Sequence, residues 1–380
     1  MKVPERIVVV GNSTAGITVA NKLRTRISRE DAEIILISGG NRHYFNDASV
    51  FVPVNFLQTS QLSAPIKGLI KNSIVFVNEN VKIIDIENKG VTTDDGHLVR
   101  YTYLVLAGDF DSAHDTIPGY IEEVRSVNTV QNAIALREDM GNLKSGTIVI
   151  GNAQRFMGNE TLISDLAIGL SNDMKRRKLD AKVKIQVFFP DAKIHGSNEL
   201  YKHIETVLTE NNVEVVSGFN LASVNVKNKE LVSTDGKTIK YDLPIIMPPE
   251  SLDRTIISSN IPKDDNGKIQ FDLSTLSVSG HEDIFTIGGS LNLHGSQTIG
   301  TAMDQAEFVS AFIANRISGY RDPGTYEFKI QLQPILNSRS AETILISGGD
   351  LVVGKPSETD FLMRLYAHSS YFGREIRGFI

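Results

Sequence analysis

Arg6-Ile7-Val8-Val9-Val10-Gly11-Asn12-Ser13-Thr14-Ala15-Gly16-Ile17 is the stretch whose reading decides the fold. A short apolar run ending at a glycine is the pattern of a parallel strand buried on both faces. From Gly16 to Arg26, Ile17, Ala20 and Leu23 fall at helical spacing, and Glu33-Ile34-Ile35-Leu36-Ile37 reads as a second strand. Strand, glycine turn, helix and strand make one βαβ unit. Gly11, Ser13 and Gly16 stand at the three positions of a G-x-G-x-x-G turn. There the first glycine makes the tight turn, the second lets the backbone approach a pyrophosphate, and the third lets helix pack on strand. Serine at the second position narrows that approach but offers a hydroxyl to the phosphate. An acid usually ends the second strand and binds the ribose hydroxyls. Here Ser38 takes that place before Gly39-Gly40, so looser ribose binding is expected.

Beyond this unit the rhythm changes. Short apolar runs between Ile74 and Leu106, separated by Asn, Gly and Asp turns, read as a small antiparallel excursion with a hairpin at Asp94-Asp95-Gly96. A second βαβ unit opens with Thr147-Ile148-Val149-Ile150-Gly151, continues in a helix through Leu162, Leu166 and Leu170, and reaches a strand from Val183 to Phe189. Another Asp-Gly hairpin, Asp235-Gly236, precedes the return strand at Leu243 to Ile246. The halves repeat one plan with little residue identity. Asp283-Ile284-Phe285-Thr286-Ile287-Gly288-Gly289 is a final strand running into glycines, followed by a helix from Thr301 to Ile317. After the break at Asp322-Pro323-Gly324 come two strand-like runs, Tyr326 to Leu332 and Thr343 to Ser347, and an aromatic-rich tail.

Composition narrows the function classes. The 380 residues suffice for two or three domains. A net charge of −6 argues against a nucleic-acid binder. Lys175-Arg176-Arg177-Lys178 reads as the exposed end of a helix. The start of the chain lacks the pattern of a secretory signal, and no apolar stretch reaches the length of a membrane span, so a cytoplasmic location is expected. Cysteine is absent, which excludes disulfides, thiolate ligands and dithiol relays within the chain. No His/Asp/Glu spacing suggests a metal site, and no nucleophile-elbow motif supports Ser-His-Asp catalysis.

The order of these motifs resembles the FAD-dependent pyridine nucleotide–disulfide oxidoreductase family, most closely its sulfide:quinone oxidoreductase-like branch. The likeness rests on Gly11 to Gly16, Asn41-Arg42-His43-Tyr44-Phe45, Tyr103 to Gly108, the Gly151 to Glu160 loop, Tyr241-Asp242-Leu243 with Pro248-Pro249, and Asp283 to Gly288. It implies an α/β fold of two Rossmann-like FAD/NAD(P)-binding domains of the three-layer ββα type, with antiparallel excursions and a C-terminal extension. The expected division is 1–107 plus 246–325 for the FAD-binding-type domain, 108–245 for a second NAD-binding-like domain, and 326–380 for an interface or membrane-contact region. Candidate cofactor-binding residues are Gly11, Ser13, Thr14, Ala15, Gly16, Ser38, Gly108, Gly288 and Gly289. The second unit has no glycine between Gly151 and Gly158, which resembles the branch that has lost nucleotide binding there, so no NAD(P)H is expected.

The departures concern the chemistry. In the sulfide branch a redox cysteine follows a Ser-Val pair; here Ser126-Val127 is followed by Asn128. A second cysteine lies where this chain has Arg155-Phe156. Without a thiolate there is no nucleophile to capture sulfide. The family's late motif has an aspartate after the glycine; here Gly288 is followed by Gly289. Two readings lead, with a nucleotide-binding sensor as a weaker third. One is a cysteine-independent FAD-dependent oxidoreductase passing electrons to a quinone or small acceptor; the other is a catalytically inactive paralogue serving as a binding or assembly subunit in a homo- or hetero-oligomer. No catalytic residue is assigned. His43 and His294 lie on glycine-rich segments expected at the sheet's ligand-binding edge, with a proton relay weighed against a placement at the surface or one that supports the site from behind. The tail from Phe361 to Ile380 mixes aromatics with Arg364, Arg374 and Arg377, which fits either peripheral contact with the inner face of a membrane or packing over the first domain.

Overall fold

A computed structural model describes residues 3–108, 111–153, 160–251, 254–265, 267–291, 293, 298–337 and 339–377. Strand β1 (Glu5–Val10) is bordered by β2 (Ala32–Ile37) and β4 (Tyr103–Leu106), and β3 (Ile74–Val77) extends the sheet beyond β2, all parallel. Ile7, Val8 and Val9 are fully buried, as the apolar run requires of a central strand covered on both faces. Helix α1 (Thr14–Arg26) starts two residues earlier than its apolar spacing indicates, because Ser13 caps it.

The chain then enters the second domain. Helix α2 (Val130–Asn142) leads to β5 (Gly146–Asn152), α3 (Glu160–Arg176), β6 (Val183–Phe189), α4 (Asn198–Glu210), β7 (Glu214–Ser217) and β8 (Leu243–Met247). The four strands form a parallel sheet in the order β7-β6-β5-β8. The 245/246 boundary expected from the sequence falls inside β8, so the chain leaves this sheet only after Met247. A two-residue ribbon, Asp111–Ser112 with Glu250–Ser251, marks the crossing between domains.

Returning, β9 (Ile284–Thr286) pairs parallel with β4, and the short strands Phe271–Asp272 and Ser277–Val278 extend that edge antiparallel. Helix α5 (Ile299–Ser318) packs along α1 and covers the sheet. The C-terminal region forms a three-stranded meander, β10 (Lys329–Leu332), β11 (Ile344–Ser347) and β12 (Asp350–Val353), followed by α6 (Glu358–Ser370). The sequence reading missed β12, whose four residues are all at least partly exposed, and it left α6 as tail.

The two antiparallel excursions repeat more closely than their sequences suggested. Val81–Asp85, Gly90–Thr93 and Leu98–Arg100 form one; Leu221–Asn225, Glu230–Ser233 and Thr238–Lys240 form the other. Each has its register shift at the same place, between Val81 and Ile83 and between Leu221 and Ser223. Lys89 and Lys229 both adopt positive φ, 49° and 56°. Asn88 N–H donates to Asp85 Oδ1 at 3.0 Å, and Asn228 N–H to Asn225 Oδ1 at 3.1 Å. Identity is thus confined to the turn residues Asn-Lys, Asp-Gly and the closing Tyr101 and Tyr241, where backbone conformation demands particular side chains.

The basic cluster is not a purely solvated helix end. Arg177 reaches back to the Met140 and Leu143 carbonyls, each at 2.8 Å, and so ties the ends of α2 and α3 together.

Candidate functional site

The first-domain turn keeps the geometry of a phosphate cradle. Gly11 lies at φ 109°, and a Cβ there would stand 2.5 Å from the Ala107 carbonyl oxygen. A Cβ on Gly16 would fall 2.1 Å from the Gly11 carbonyl oxygen, so only glycine lets α1 sit this close to the strand end. Gly288, at φ 63°, meets the same turn from β9; a Cβ there would lie 2.9 Å from Ala15 Cβ. Its N–H donates to Gln305 Oε1 of α5 at 2.7 Å, while Ser290 Oγ donates to the Gly108 carbonyl at 3.0 Å. Gly11, Ser13 to Gly16, Gly108, Gly288 and buried Gly289 therefore come together above the carboxyl ends of β1, β4 and β9.

Ser13 does not face a ligand, contrary to the expectation from its position. Its hydroxyl donates to the Ala107 carbonyl at 2.6 Å and accepts from Gly16 N–H at 3.3 Å. The residue is turned inward as a helix cap, and its carbonyl takes the Ile17 N–H at 3.1 Å. Of the α1 N-terminal donors, those of Thr14 and Ala15 remain without an acceptor among the described residues. With the positive end of the helix dipole they form an anion-binding end.

Beside the turn lies a cavity of about 290 Å³ lined by Asn12, Gly39, Gly40, Asn41, Arg42, His43, Tyr44 and Asn46. It opens outside the ends of β1 and β2, where the ribose of a dinucleotide belongs in this topology. The buried Asn46 Oδ1 has no hydrogen-bond partner among the described residues. Ser38 lies at the strand end and supplies no carboxylate; a Cβ on Gly39 would collide with Asn80 Oδ1 at 1.7 Å. Asn80, placed there by the antiparallel excursion, carried no motif that sequence reading could use.

His43 is buried behind the turn, the supporting placement and not the surface one. Its Nδ1 lies 2.6 Å from the Asn12 carbonyl and its Nε2 2.7 Å from the Tyr371 hydroxyl, which lies 2.6 Å from Thr14 Oγ1. Burial pushes the imidazole pKa down to about 4, so the ring is neutral near pH 7. A carbonyl accepts only, so Nδ1 carries the proton and Nε2 accepts from Tyr371. The Tyr371 oxygen then accepts from the Thr14 hydroxyl. The Tyr371 ring is fully buried and stacks on Phe45 with centroids 3.8 Å apart. The tail at this point packs over the first domain. His294 lies outside the described residues.

In the second domain Asn128 stands in a polar cluster with Ser126 and Asn132. Ser126 Oγ donates to Asn128 Oδ1 at 2.7 Å, and Asn132 Nδ2 donates to both, at 2.8 and 2.9 Å. At the end of β5 a Cβ on Gly151 would meet the Phe188 ring at 2.3 Å, and Asn152 is fully buried, with both amide atoms unpaired among the described residues. Arg155 and Phe156 lie outside the described residues. Among the described residues no cluster of His, Asp and Glu could hold a metal, and no helix is long and apolar enough to cross a membrane.

These features have counterparts in known proteins. The chain is 22% identical over 323 residues to a mitochondrial sulfide:quinone oxidoreductase of Dictyostelium discoideum, covering 83% of this chain and 71% of that protein. It superposes on the crystal structure of the sulfide:quinone oxidoreductase of Aquifex aeolicus with a TM-score of 0.83 at 19% identity, over 98% of this chain and 91% of that one. A chain in the structure of the Tetrahymena thermophila mitochondrial ATP synthase matches with a TM-score of 0.80 at 15% identity, over 99% and 96% of the two chains. The family model described as pyridine nucleotide-disulphide oxidoreductase matches residues 5–306. Two domains of one plan, a glycine turn closed by Gly288, and a match over most of its length establish that the chain belongs to the pyridine nucleotide-disulphide oxidoreductase family.

Proposed function

We propose that the chain is a sulfide:quinone oxidoreductase-like flavoprotein that works without thiol chemistry, binding FAD in the first domain and reducing a quinone or another small acceptor. The observation that carries this reading is the glycine turn, with the Thr14 and Ala15 N–H groups left without acceptors among the described residues and Gly288 closing against Ala15. The Asn46 oxygen in the adjoining cavity, unpaired among the described residues, fits a ribose or adenine donor. Bound FAD would supply two-electron transfer; the chain's own residues bind its diphosphate, orient it and exclude water. Ser38 and Gly289 offer no carboxylate to the ribose or the ribityl chain, so those contacts fall to neutral groups such as Asn80. We place no nicotinamide nucleotide in the second domain, where the Phe188 ring fills the space over Gly151. Leu362, Met363 and Tyr366, exposed by 57%, 55% and 48% along one face of α6, suit peripheral contact with a membrane that holds the quinone.

Purified protein with a flavin absorbance spectrum, whose flavin is reoxidised by a soluble quinone after chemical reduction, is the expected result. Protein that remains colourless after incubation with FAD overturns the reading. A second reading, an inactive paralogue in an assembly, is favoured by the likeness to a chain within an ATP synthase structure and by the missing acids at Ser38 and Gly289. It predicts a colourless chain that copurifies in a stable complex.

A further inference from the structure

We propose that the C-terminal tail is a clamp on the nucleotide turn, in which Tyr371 acts as a positioning residue for Thr14 and, through His43, for Asn12. Docking of the tail and retention of the dinucleotide are then linked. The inference rests on the reading of this turn as the FAD site.

The turn is pinned from two sides. On the strand side, the Ser13 hydroxyl is held by Ala107. On the outer side, Thr14 and Asn12 are held by a directed chain in which the Thr14 hydroxyl donates to Tyr371, Tyr371 donates to His43 Nε2, and His43 Nδ1 donates to the Asn12 carbonyl. The Asn12 carbonyl can only accept, and this sets the direction of the chain while the ring is neutral. What remains for a ligand at the turn is the pair of backbone N–H groups of Thr14 and Ala15, already oriented before anything binds. Such preorganisation favours binding because the ordering cost is met in advance.

The tail is fastened at several further points. Tyr371 to Glu375 form one turn of π-helix, closed by Ile376 N–H to the Tyr371 carbonyl at 3.2 Å. Such turns are rare and concentrate at functional sites. The Ile376 carbonyl accepts from Asn21 Nδ2 at 3.0 Å, two turns along α1 from Thr14. Asn21 also donates to the Leu69 carbonyl and accepts from Lys71 N–H, both at 2.9 Å. Upstream, Arg364 of α6 binds buried Asp165 of α3 at 2.5 Å. One short element therefore holds the nucleotide turn, the helix behind it and the second domain.

Linkage is reciprocal: if the docked tail favours the dinucleotide, the dinucleotide favours the docked tail by the same factor. The test uses the full chain and the variants Tyr371→Phe, Thr14→Val and the double variant. FAD affinity is read from quenching of flavin fluorescence, and tail docking from the rate of limited proteolysis beyond residue 356, followed by intact mass. Tyr371→Phe keeps the ring on Phe45 and removes only the hydroxyl. The expected result is a loss of FAD affinity on the order of tenfold in Tyr371→Phe, with the double variant no weaker than the worse single. FAD slows tail cleavage in the parent chain and has a smaller effect in Tyr371→Phe. Should Tyr371→Phe fold poorly, Thr14→Val carries the same comparison from the other end of the bond. Equal FAD affinity in the parent and both single variants, losses that simply add, or a tail whose cleavage ignores FAD overturns the clamp and leaves the FAD reading standing. A parent chain that does not bind FAD overturns both.

Discussion

Asp165 of α3 and Arg364 of α6 meet at 2.5 Å in the protein interior, 199 positions apart in the chain. The Asp165 carboxylate is fully buried, and burial pushes its pKa up while Arg364 and the Ile335 N–H oppose the shift. Arg364 also lies 5.2 Å from the Phe51 ring. Removing one partner of a buried pair leaves a charge that water cannot reach, at a cost of about 3–5 kcal/mol. Arg364→Met should lower the urea midpoint accordingly, and adding Asp165→Asn should recover part of the loss. A single variant as stable as the parent would show that the pair does not hold the tail.

The inward-facing Ser13 hydroxyl leads to a separation of stability from cofactor binding. Ser13→Ala loses a helix cap and the Ala107 bond, lowering stability by about 1–2 kcal/mol, and loosens one side of the turn, which weakens FAD binding without abolishing it. Gly16→Ala places a Cβ against the Gly11 carbonyl, 2.1 Å away before relaxation, and should abolish FAD binding. Thermal melts and flavin titration on both variants check the contrast; strong loss of FAD in Ser13→Ala would return the hydroxyl to the phosphate.

His43 sets a pH dependence of known sign. Its folded pKa, down to about 4, lies below the unfolded value of 6.5, so between these values the unfolded chain binds more protons. The stability from the neutral ring is present above pH 6.5 and lost as pH falls towards 4, by about 3 kcal/mol at most. Urea unfolding across that window should show a steeper fall for the parent than for His43→Gln. Parallel profiles would mean that His43 titrates normally in the fold.

The absence of cysteine makes a direct prediction about sulfide. Anaerobic addition of sulfide to the FAD-loaded chain should give no long-wavelength charge-transfer absorption, and iodoacetamide should leave quinone reduction unchanged. The Asn128 amide, locked to Ser126 and Asn132, cannot replace the nucleophile. Rapid sulfide-dependent bleaching of the flavin would contradict this.

Both βαβ units, the Asp-Gly hairpins and the place of the nucleotide turn were legible in the sequence. Each is set by local rules: a buried parallel strand needs an apolar run, and a close helix–strand approach needs Gly11 and Gly16. The missing thiol chemistry was legible for the same reason, since composition alone decides it. The tertiary structure decided which way the Ser13 hydroxyl points, because that depends on the Ala107 carbonyl, 94 positions away. It also decided the burial of His43 and the role of Tyr371, joined across 328 positions. The tail's aromatic residues announced only that they would be buried or would meet a membrane. Their partners lie on segments distant in sequence, and side-chain hydrogen bonds across such distances leave no periodicity to read.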